Sequence, residues 1–245
     1  MPRLTRRVAL CAALVFGLQH VSVNAWARAP MDGDVLVFGG TGKLGAEVAK
    51  ALIAGGHGVT VFARPTSDHA RLDGLDIAYV EGDVLNESDV NAAFAAAKFK
   101  AAVDALARGR SGPEFYDISE KNISTAAAAT GVSQVILHSS VGAGDSQAVY
   151  PKERWEAMKP TLMAKDAGEK HLMASGVTYT IIRNAVLRNS KPGDVDGAKL
   201  TEDQSAFGAV TRVGLGRLTA ECIGNPDCAN KIFHAVDPGV HAGGE

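Results

Sequence analysis

The sequence has three cysteines, no dominant run of basic residues, and an N-terminal apolar run too short to span a bilayer. Its 25 lysines and arginines are balanced by 27 aspartates and glutamates, which gives a formal net charge of -2. A protein that binds a polyanion normally clusters basic residues on one face, so nucleic acid is not expected as a partner. The run from Val8 to Leu18 is shorter than the roughly 20 residues of a transmembrane helix, so no stable membrane anchor is expected.

The first 27 residues have the pattern of a signal peptide. Met1–Arg7 carries three arginines, the short apolar run follows, and Ala25–Trp26–Ala27 fits a small-residue cleavage site. We therefore expect a periplasmic or secreted protein whose mature chain begins near Arg28. The paired Arg6 and Arg7 also suit the twin-arginine route, which exports folded proteins; the ordinary route for unfolded chains stays open.

Two cysteines remain in the mature chain, Cys222 and Cys228, within the turn-forming stretch CIGNPDC. An even cysteine count in an exported protein favours a disulfide, although two unpaired thiols are the alternative. A metal site is not expected, because His234 is the only further ligand nearby and its spacing is unsuitable.

The chain has the length and apolar content of one soluble globular domain, at 245 residues and 46% apolar. Apolar, strand-like runs alternate with alanine-rich helical patterns, and this alternation predicts right-handed crossovers and a doubly wound, mostly parallel sheet in a single α/β domain, residues 28–245. Strands are predicted over residues 35–38, 59–63, 77–80, 101–106, 135–139, 178–183 and 231–236, and helices over 44–53, 90–97, 113–129, 161–174 and 213–223.

Two polar segments interrupt the alternation, residues 142–159 and 188–209. Both leave the carboxyl ends of predicted strands, where ligands bind in sheets of this kind. They are predicted to be loops that wall a substrate site, and ordinary surface loops are the alternative.

A glycine-rich loop joins the first strand to the first helix. It consists of Gly39, Gly40, Thr41, Gly42, Lys43, Leu44 and Gly45. The spacing G-x-G-x-x-G between a strand and a helix is typical of a dinucleotide site, in which small residues admit the pyrophosphate and the helix N-terminus offers free N–H groups. An ATP-type phosphate loop is excluded, because Leu44 stands where that motif needs serine or threonine.

Arg64 favours NADP over NAD as the cofactor. NAD sites place an acidic residue after the second strand to bind the ribose 2′-hydroxyl, and this chain has an arginine there, which suits a 2′-phosphate. Lys43 adds a second positive charge, and a solvated Arg64 without a ligand is the alternative.

At this point the chain resembles the atypical short-chain dehydrogenases/reductases of the NmrA-like, NAD(P)H-binding branch, over residues 34–237. The resemblance is carried by VLVFGGTGKLG, VTVFARP, EGDV, GVSQVILHSSVGAG and SGVTYTIIRNAVL. It implies a Rossmann-like fold and a cofactor site that includes Asp83 and Val84 near the adenine. At the nicotinamide end it implies Leu106, Ala107, Ser139 and Asn184, the last standing where the family usually has proline.

The catalytic pattern of the family is incomplete here. The catalytic branches use Tyr-x-x-x-Lys with an upstream serine. Lys165 matches the lysine and Ser139 or Ser140 the serine, with Ser140 taken as the catalytic residue, but Thr161 replaces the tyrosine. Three interpretations follow. Lys165 binds the ribose and water supplies the proton, as in tyrosine-free relatives that reduce flavins; Tyr150 replaces the missing hydroxyl; or the protein binds NADP without turnover.

We therefore predict an NADP(H)-binding oxidoreductase that transfers hydride to a small acceptor such as a flavin, quinone or carbonyl. The alternative is a non-catalytic NADP-binding redox sensor or interaction protein. The sequence leaves the oligomeric state open.

Overall fold

The computed structural model describes residues 28–191 and 196–241, and the predicted signal peptide, residues 1–27, lies outside the described residues. The strands are β1 Val35–Phe38, β2 Val59–Ala63, β3 Ile77–Glu81, β4 Ala101–Asp104, β5 Val135–Ser140, β6 Tyr179–Asn184, β7 Val186–Arg188, β8 Lys199–Thr201, β9 Ala209–Thr211 and β10 Lys231–Val236. The helices are α1 Lys43–Ala54, α2 Glu87–Ala95, α3 Phe115–Thr130, α4 Lys152–Ala174 and α5 Arg212–Cys222.

An eight-stranded sheet forms the centre of the domain, in the order β3-β2-β1-β4-β5-β6-β10-β8. All neighbouring pairs are parallel except β10 and β8, so the predicted mostly parallel, doubly wound sheet is confirmed. The strand order reverses around β1, whose two neighbours are β2 and β4. In sheets of this kind such a reversal opens a crevice at the carboxyl ends of the strands.

Helices cover both faces of the sheet, and each face has its own apolar core. On one face α1 packs against α5 around residues such as Val35, Leu52 and Leu215. On the other face α3 packs between α2 and α4 around residues such as Leu36 and Ile123. The strands between these layers are apolar on both sides, because each of their faces is buried.

The first predicted loop is shorter than expected, because α4 begins at Lys152 rather than at residue 161. Residues 152–159 are mostly polar and precede Pro160, which normally disfavours a helix interior. Trp155 fixes this added segment, since its side chain is buried and its indole N–H donates to the carbonyl of Gly142 at 3.1 Å. The prediction of loop structure over residues 152–159 was therefore wrong.

The second predicted loop, residues 188–209, contains strand β8 and the first residue of β9. β8 pairs antiparallel with β10, and β9 pairs with β7 in a separate two-stranded sheet. Residues 192–195 of this loop lie outside the described residues. Strands of three residues carry almost no periodic signal, so the pairing with β10 and β7 determines them.

A disulfide joins Cys222 at the end of α5 to Cys228, six residues later. Both cysteines are buried, and the bridge closes the turn that leads into β10. Among residues 28–191 and 196–241, no helix is long and apolar enough to cross a membrane.

Candidate functional site

A cleft of about 940 Å³ runs along the carboxyl ends of the parallel strands. Its lining collects residues from the ends of β1 to β6, together with α3, α4 and α5. The described lining includes most of the residues predicted from the sequence: Gly39, Thr41, Gly42, Lys43, Leu44, Arg64, Asp83, Val84, Leu106, Ala107, Ser139, Ser140, Lys165 and Asn184. No described residue of segments 142–159 and 188–209 belongs to the lining, so their predicted role as substrate walls gains no support.

The glycine loop presents the first turn of α1 to this cleft. Gly42 is the N-cap residue, and no side chain caps the helix. The first N–H groups of a helix have no intrahelical partner and carry a partial positive charge, so this end of α1 can receive a phosphate. Gly39 has φ +77°, and a Cβ there would lie 2.7 Å from the carbonyl oxygen of Ala105.

Gly40 and Gly45, also predicted to bind the cofactor, lie outside the described lining of the cleft. Their lack of a side chain serves the fold of the loop. A Cβ on Gly45 would lie 2.2 Å from the carbonyl oxygen of Gly39, and one on Gly40 would lie 2.7 Å from the side chain of Val61. Both glycines therefore allow the tight turn that brings Gly39 and Gly42 to the cleft.

The charge of the lining is strongly positive, although the chain carries a net charge of -2. Asp83 is the one acidic residue among the described lining residues, and six are basic: Lys43, Arg64, Arg108, Arg110, Lys165 and Arg212. A cleft walled by one sign of charge concentrates ligands of the opposite sign. The site is therefore suited to a polyanionic ligand.

At one end of the cleft, Arg64 follows β2 and the backbone after β3 forms the opposite wall. Asp83 accepts a hydrogen bond from the N–H of Leu85 at 3.0 Å, and Val84 is buried. Asn122 of α3 holds this wall, since its amide donates to the carbonyl of Val84 at 2.9 Å. The burial of Asn122 and this contact assign it to the wall.

At the other end, Ser139, Ser140 and Asn184 lie side by side at the ends of β5 and β6. The hydroxyl of Ser140 donates to the carbonyl of Val141 at 3.0 Å, which leaves its lone pairs free to accept. The amide of Asn184 donates to the carbonyl of Ser139 at 3.3 Å. Its Oδ1 is buried and has no partner among the described residues. A ligand amide in the cleft would satisfy this acceptor, as buried polar groups normally are.

Lys165 reaches the same end of the cleft from α4. Its ammonium lies 4.0 Å from the centre of the Tyr116 ring and donates to the carbonyl of His138 at 3.3 Å. Burial lowers the pKa of Lys165, and the nearby carboxyl groups of Asp104 and Glu120 oppose that shift. The ammonium charge is thus placed over an aromatic ring and near two buried acids.

Asp104 and Glu120 form a buried pair behind Lys165. Burial and the adjacent Asp104 raise the pKa of Glu120 well above its ordinary value. No described N–H or O–H group donates to the carboxyl oxygens of Glu120. A protonated Glu120 that donates to the carboxylate of Asp104 satisfies both groups, since two close carboxylates do not both ionise readily.

A second buried network supports Ser139. Glu169 of α4 is fully buried; it accepts from the hydroxyl of Ser139 at 2.5 Å and from Arg183 at 2.7 and 3.1 Å. Arg183, in β6, is also buried and contacts Asp145, whose pKa this guanidinium lowers. Glu169 is therefore an internal partner of Ser139 and Arg183.

The hydroxyl groups are arranged differently from the sequence-based interpretations. Thr161, which replaces the family tyrosine, is outside the described lining, and so is Tyr150. Tyr150 stacks edge-on against Phe207, and its hydroxyl lies 3.4 Å from the sulfur of Met158. Tyr116, which the sequence analysis did not single out, lines the cleft beside Lys165. Tyr116 belongs to no sequence motif that we recognise, and only its position shortly after β4 could have drawn attention to it.

Comparison with known proteins identifies the family. A family model described as NAD(P)H-binding matches residues 39–226, which include the glycine loop and almost all of the cleft. The chain belongs to this NAD(P)H-binding family. The resemblance inferred from the sequence is confirmed at this level.

Two curated relatives align with less than half of the chain. An uncharacterized sugar epimerase, YhfK of Bacillus subtilis, is 33% identical over 114 residues, which cover 46% of this chain and 49% of the relative. The sterol demethylase protein B of Methylococcus capsulatus is 33% identical over 113 residues, covering 44% of this chain and 34% of the relative. The chain thus spans about half of the first relative and a third of the second.

Solved structures share the fold over most of the chain. ChuY from Escherichia coli O157:H7, an anaerobillin reductase, superposes with a TM-score of 0.73 at 22% identity, covering 86% of this chain and all of that one. A short-chain dehydrogenase/reductase of Veillonella parvula in complex with NADP gives a TM-score of 0.69 at 16% identity, covering 85% and 96%. At such identities these neighbours support the fold alone.

The residues present fit a nicotinamide dinucleotide. The uncapped first turn of α1 suits the pyrophosphate, the basic lining suits its charge, and the unpartnered Oδ1 of Asn184 suits a carboxamide. When bound, such a cofactor supplies or accepts a hydride. Among the described residues, no group of side chains could hold a metal ion.

Proposed function

We propose that this protein is an NADP(H)-dependent reductase of a small acceptor. The observation that carries the proposal is the positive cleft, which has six basic residues and one acid among its described lining residues and the uncapped N-terminus of α1 at its floor. A dinucleotide with a 2′-phosphate brings more negative charge than NAD, so it gains more from this lining.

Arg64 is the residue proposed to select NADP. It follows β2, lines the cleft and is exposed, and no acidic residue of the described lining lies at the end of that strand. A guanidinium can bind a phosphate through two parallel hydrogen bonds, which adds affinity and geometric selectivity. Lys43, at the start of α1, contributes a second positive charge at this end.

The acceptor is proposed to be a flavin, a quinone or a carbonyl compound. Lys165, Ser140 and Asn184 meet at one end of the cleft, beside the unpaired Oδ1 that suits the nicotinamide amide. In this proposal Lys165 and Asn184 orient the cofactor, and the hydroxyl of Ser140 orients the acceptor. The positive lining at this end, including Arg108 and Arg212, favours an acceptor that carries an acidic group.

The experiment combines binding and turnover on the purified mature chain. Cofactor oxidation is followed with NADPH against a panel of flavins, quinones and carbonyl compounds, and NADPH binding is measured separately. The proposal predicts NADPH-dependent reduction of at least one class of acceptor. NADPH binding without turnover on any class would instead favour the redox sensor, and absence of nucleotide binding would contradict both functions.

Export to the periplasm or beyond is proposed as well, on the pattern of residues 1–27. The twin-arginine route would carry out a folded protein with its cofactor in place, which suits a compartment where NADP is scarce. Replacing Arg6 and Arg7 with lysine is expected to stop export by that route. Undiminished export of the variant would contradict the twin-arginine route and leave the ordinary route for unfolded chains as the explanation.

A further inference from the structure

Tyr116 is the one tyrosine that lines the described part of the cleft. The chain has four tyrosines, and the other three, Tyr79, Tyr150 and Tyr179, lie outside the described lining. Tyr116 stands in the first turn of α3, whereas the sequence analysis looked for a catalytic hydroxyl at position 161 of α4 or at Tyr150. A hydroxyl therefore reaches the reacting end of the cleft from a different element.

The hydroxyl of Tyr116 is oriented so that it can donate. It accepts a hydrogen bond from the backbone N–H of Arg108 at 3.2 Å, which fixes its position through the loop after β4. No described residue accepts the hydrogen of the hydroxyl, which leaves it available to a ligand in the cleft. Burial raises the pKa of Tyr116 above its ordinary value, so the group keeps its proton at neutral pH.

Charged groups from three neighbouring elements lie near Tyr116. Lys165 of α4 has its ammonium 4.0 Å from the ring centre, Arg108 lies in the loop after β4, and Asp104 ends β4. Arg108 stabilises the phenolate that forms when the proton leaves, and Asp104 opposes it.

A source of a replacement proton shares a small cavity with Tyr116. A cavity of about 10 Å³ is lined by Tyr116, Glu120, His138 and Lys165, among others. This is roughly the space that one water molecule occupies. Glu120 holds a proton because burial and Asp104 raise its pKa. A water in this cavity would connect Glu120 to the phenolate.

We propose that Tyr116 is the catalytic acid for acceptors whose reduction creates an oxyanion, such as carbonyl compounds. This inference rests on the proposed function. A bound reduced nicotinamide dinucleotide would supply the hydride to the carbonyl carbon of the acceptor and would itself be oxidised. The O–H bond of Tyr116 breaks and a new O–H bond forms on the acceptor oxygen. Glu120 then returns a proton to the phenolate, and solvent water replaces the proton of Glu120.

The test compares Tyr116→Phe with Tyr150→Phe as a matched control. The first variant removes the hydroxyl from the cleft and keeps the ring beside Lys165; the second removes a hydroxyl that faces Met158. Loss of a general acid is expected to lower the turnover of a carbonyl acceptor by roughly 10² to 10⁴-fold. NADPH affinity is expected to stay unchanged in Tyr116→Phe, and Tyr150→Phe is expected to match the wild type.

Flavin reduction provides an internal comparison, because the product of hydride addition to a flavin can remain an anion. Tyr116→Phe should therefore slow flavin reduction far less than carbonyl reduction. Equal losses for both acceptors, or a parallel loss of NADPH affinity, would overturn the acid role and indicate a structural one. If Tyr116→Phe turns over as fast as the wild type, the acid role of Tyr116 is overturned and the proposed function stays intact. If the wild type binds NADPH without turnover, the acid role and the proposed reductase function are both overturned.

A measurement without turnover gives a second check. In protein labelled with ¹³C at the tyrosine ζ carbon, the Tyr116 signal is assigned by its loss in Tyr116→Phe and followed against pH. The inference predicts that the signal keeps its neutral, phenolic position up to about pH 10. Ionisation of Tyr116 near neutral pH would overturn the inference, because a phenolate has no proton to donate.

Discussion

Replacing Glu169 with glutamine should destabilise the fold strongly, although the change removes only a charge. Glu169 is fully buried and faces Arg183, which is 2% exposed. The carboxylate accepts two hydrogen bonds from the guanidinium, at 2.7 and 3.1 Å, and one from Ser139. Glutamine keeps one acceptor oxygen but turns an amide N–H₂ group toward a donor, which leaves buried donors without a partner.

The magnitude follows from what Arg183 retains. Removing one partner of a buried ion pair costs about 3–5 kcal/mol. Arg183 keeps its contacts with Asp145 and Gln204, so we expect the lower end, about 3 kcal/mol. For a domain of this size that corresponds to a fall in Tm of roughly 6–12 °C.

Thermal and urea unfolding of Glu169→Gln would measure the effect, with Glu47→Gln as the control. Glu47 forms a surface pair with Lys50 at 2.9 Å, so its loss should cost at most about 1 kcal/mol. The double variant Glu169→Leu/Arg183→Leu should be less destabilised than Glu169→Leu alone or Arg183→Leu alone, since neither charge of the buried pair then remains without its partner. A stability for Glu169→Gln equal to that of Glu47→Gln would refute the reasoning.

Three further predictions concern the loop, the disulfide and the response to pH. Gly45→Ala should destabilise the protein by about 1–3 kcal/mol and weaken NADPH binding, because its Cβ would lie 2.2 Å from the carbonyl oxygen of Gly39; unchanged thermal unfolding and NADPH titration would contradict this. Replacing Cys222 and Cys228 with alanine should cost about 2 kcal/mol in urea unfolding, since the closed loop is short, and an unchanged midpoint would show that the bridge contributes nothing. Burial lowers the pKa of His138 to about 3, so between about pH 3 and pH 6.5 the unfolded chain binds one more proton at this residue than the folded chain. Stability should therefore fall as the pH drops through this range, by up to roughly 1.4 kcal/mol per pH unit. His138→Gln should flatten that part of the curve of stability against pH, and a curve identical to that of the wild type would contradict the lowered pKa of His138.

The sequence predicted the fold well where periodic patterns repeat. The bounds of β1, β2 and β10 coincide with the predicted ones, because apolar runs between turn residues specify buried strands closely. The N-terminal part of α4 was missed, since its polar residues and Pro160 resemble a loop until Trp155 is seen to be buried against Gly142. The three-residue strands depend on pairing with distant residues and leave no local signal.

The candidate site was likewise predictable from the sequence only in part. The glycine loop and Arg64 follow a motif with fixed spacing, so their position in the cleft could be predicted. Glu169 and Tyr116 could not, because a carboxylate or a phenol on a helix has the same local pattern whether it faces solvent or a buried partner. Arg183 offered one usable signal: a charged residue inside an apolar strand needs a buried counter-charge.

Isothermal titration of residues 28–245 with NADPH and with NADH is the measurement that tests the central claim most directly. If Arg64 binds the 2′-phosphate, NADPH should bind more tightly by about 1.5–3 kcal/mol, or roughly 10- to 150-fold. Arg64→Ala should remove most of that preference, whereas Arg71→Ala, at an exposed arginine outside the described lining, should keep it. Equal or tighter binding of NADH by the wild type would contradict the account.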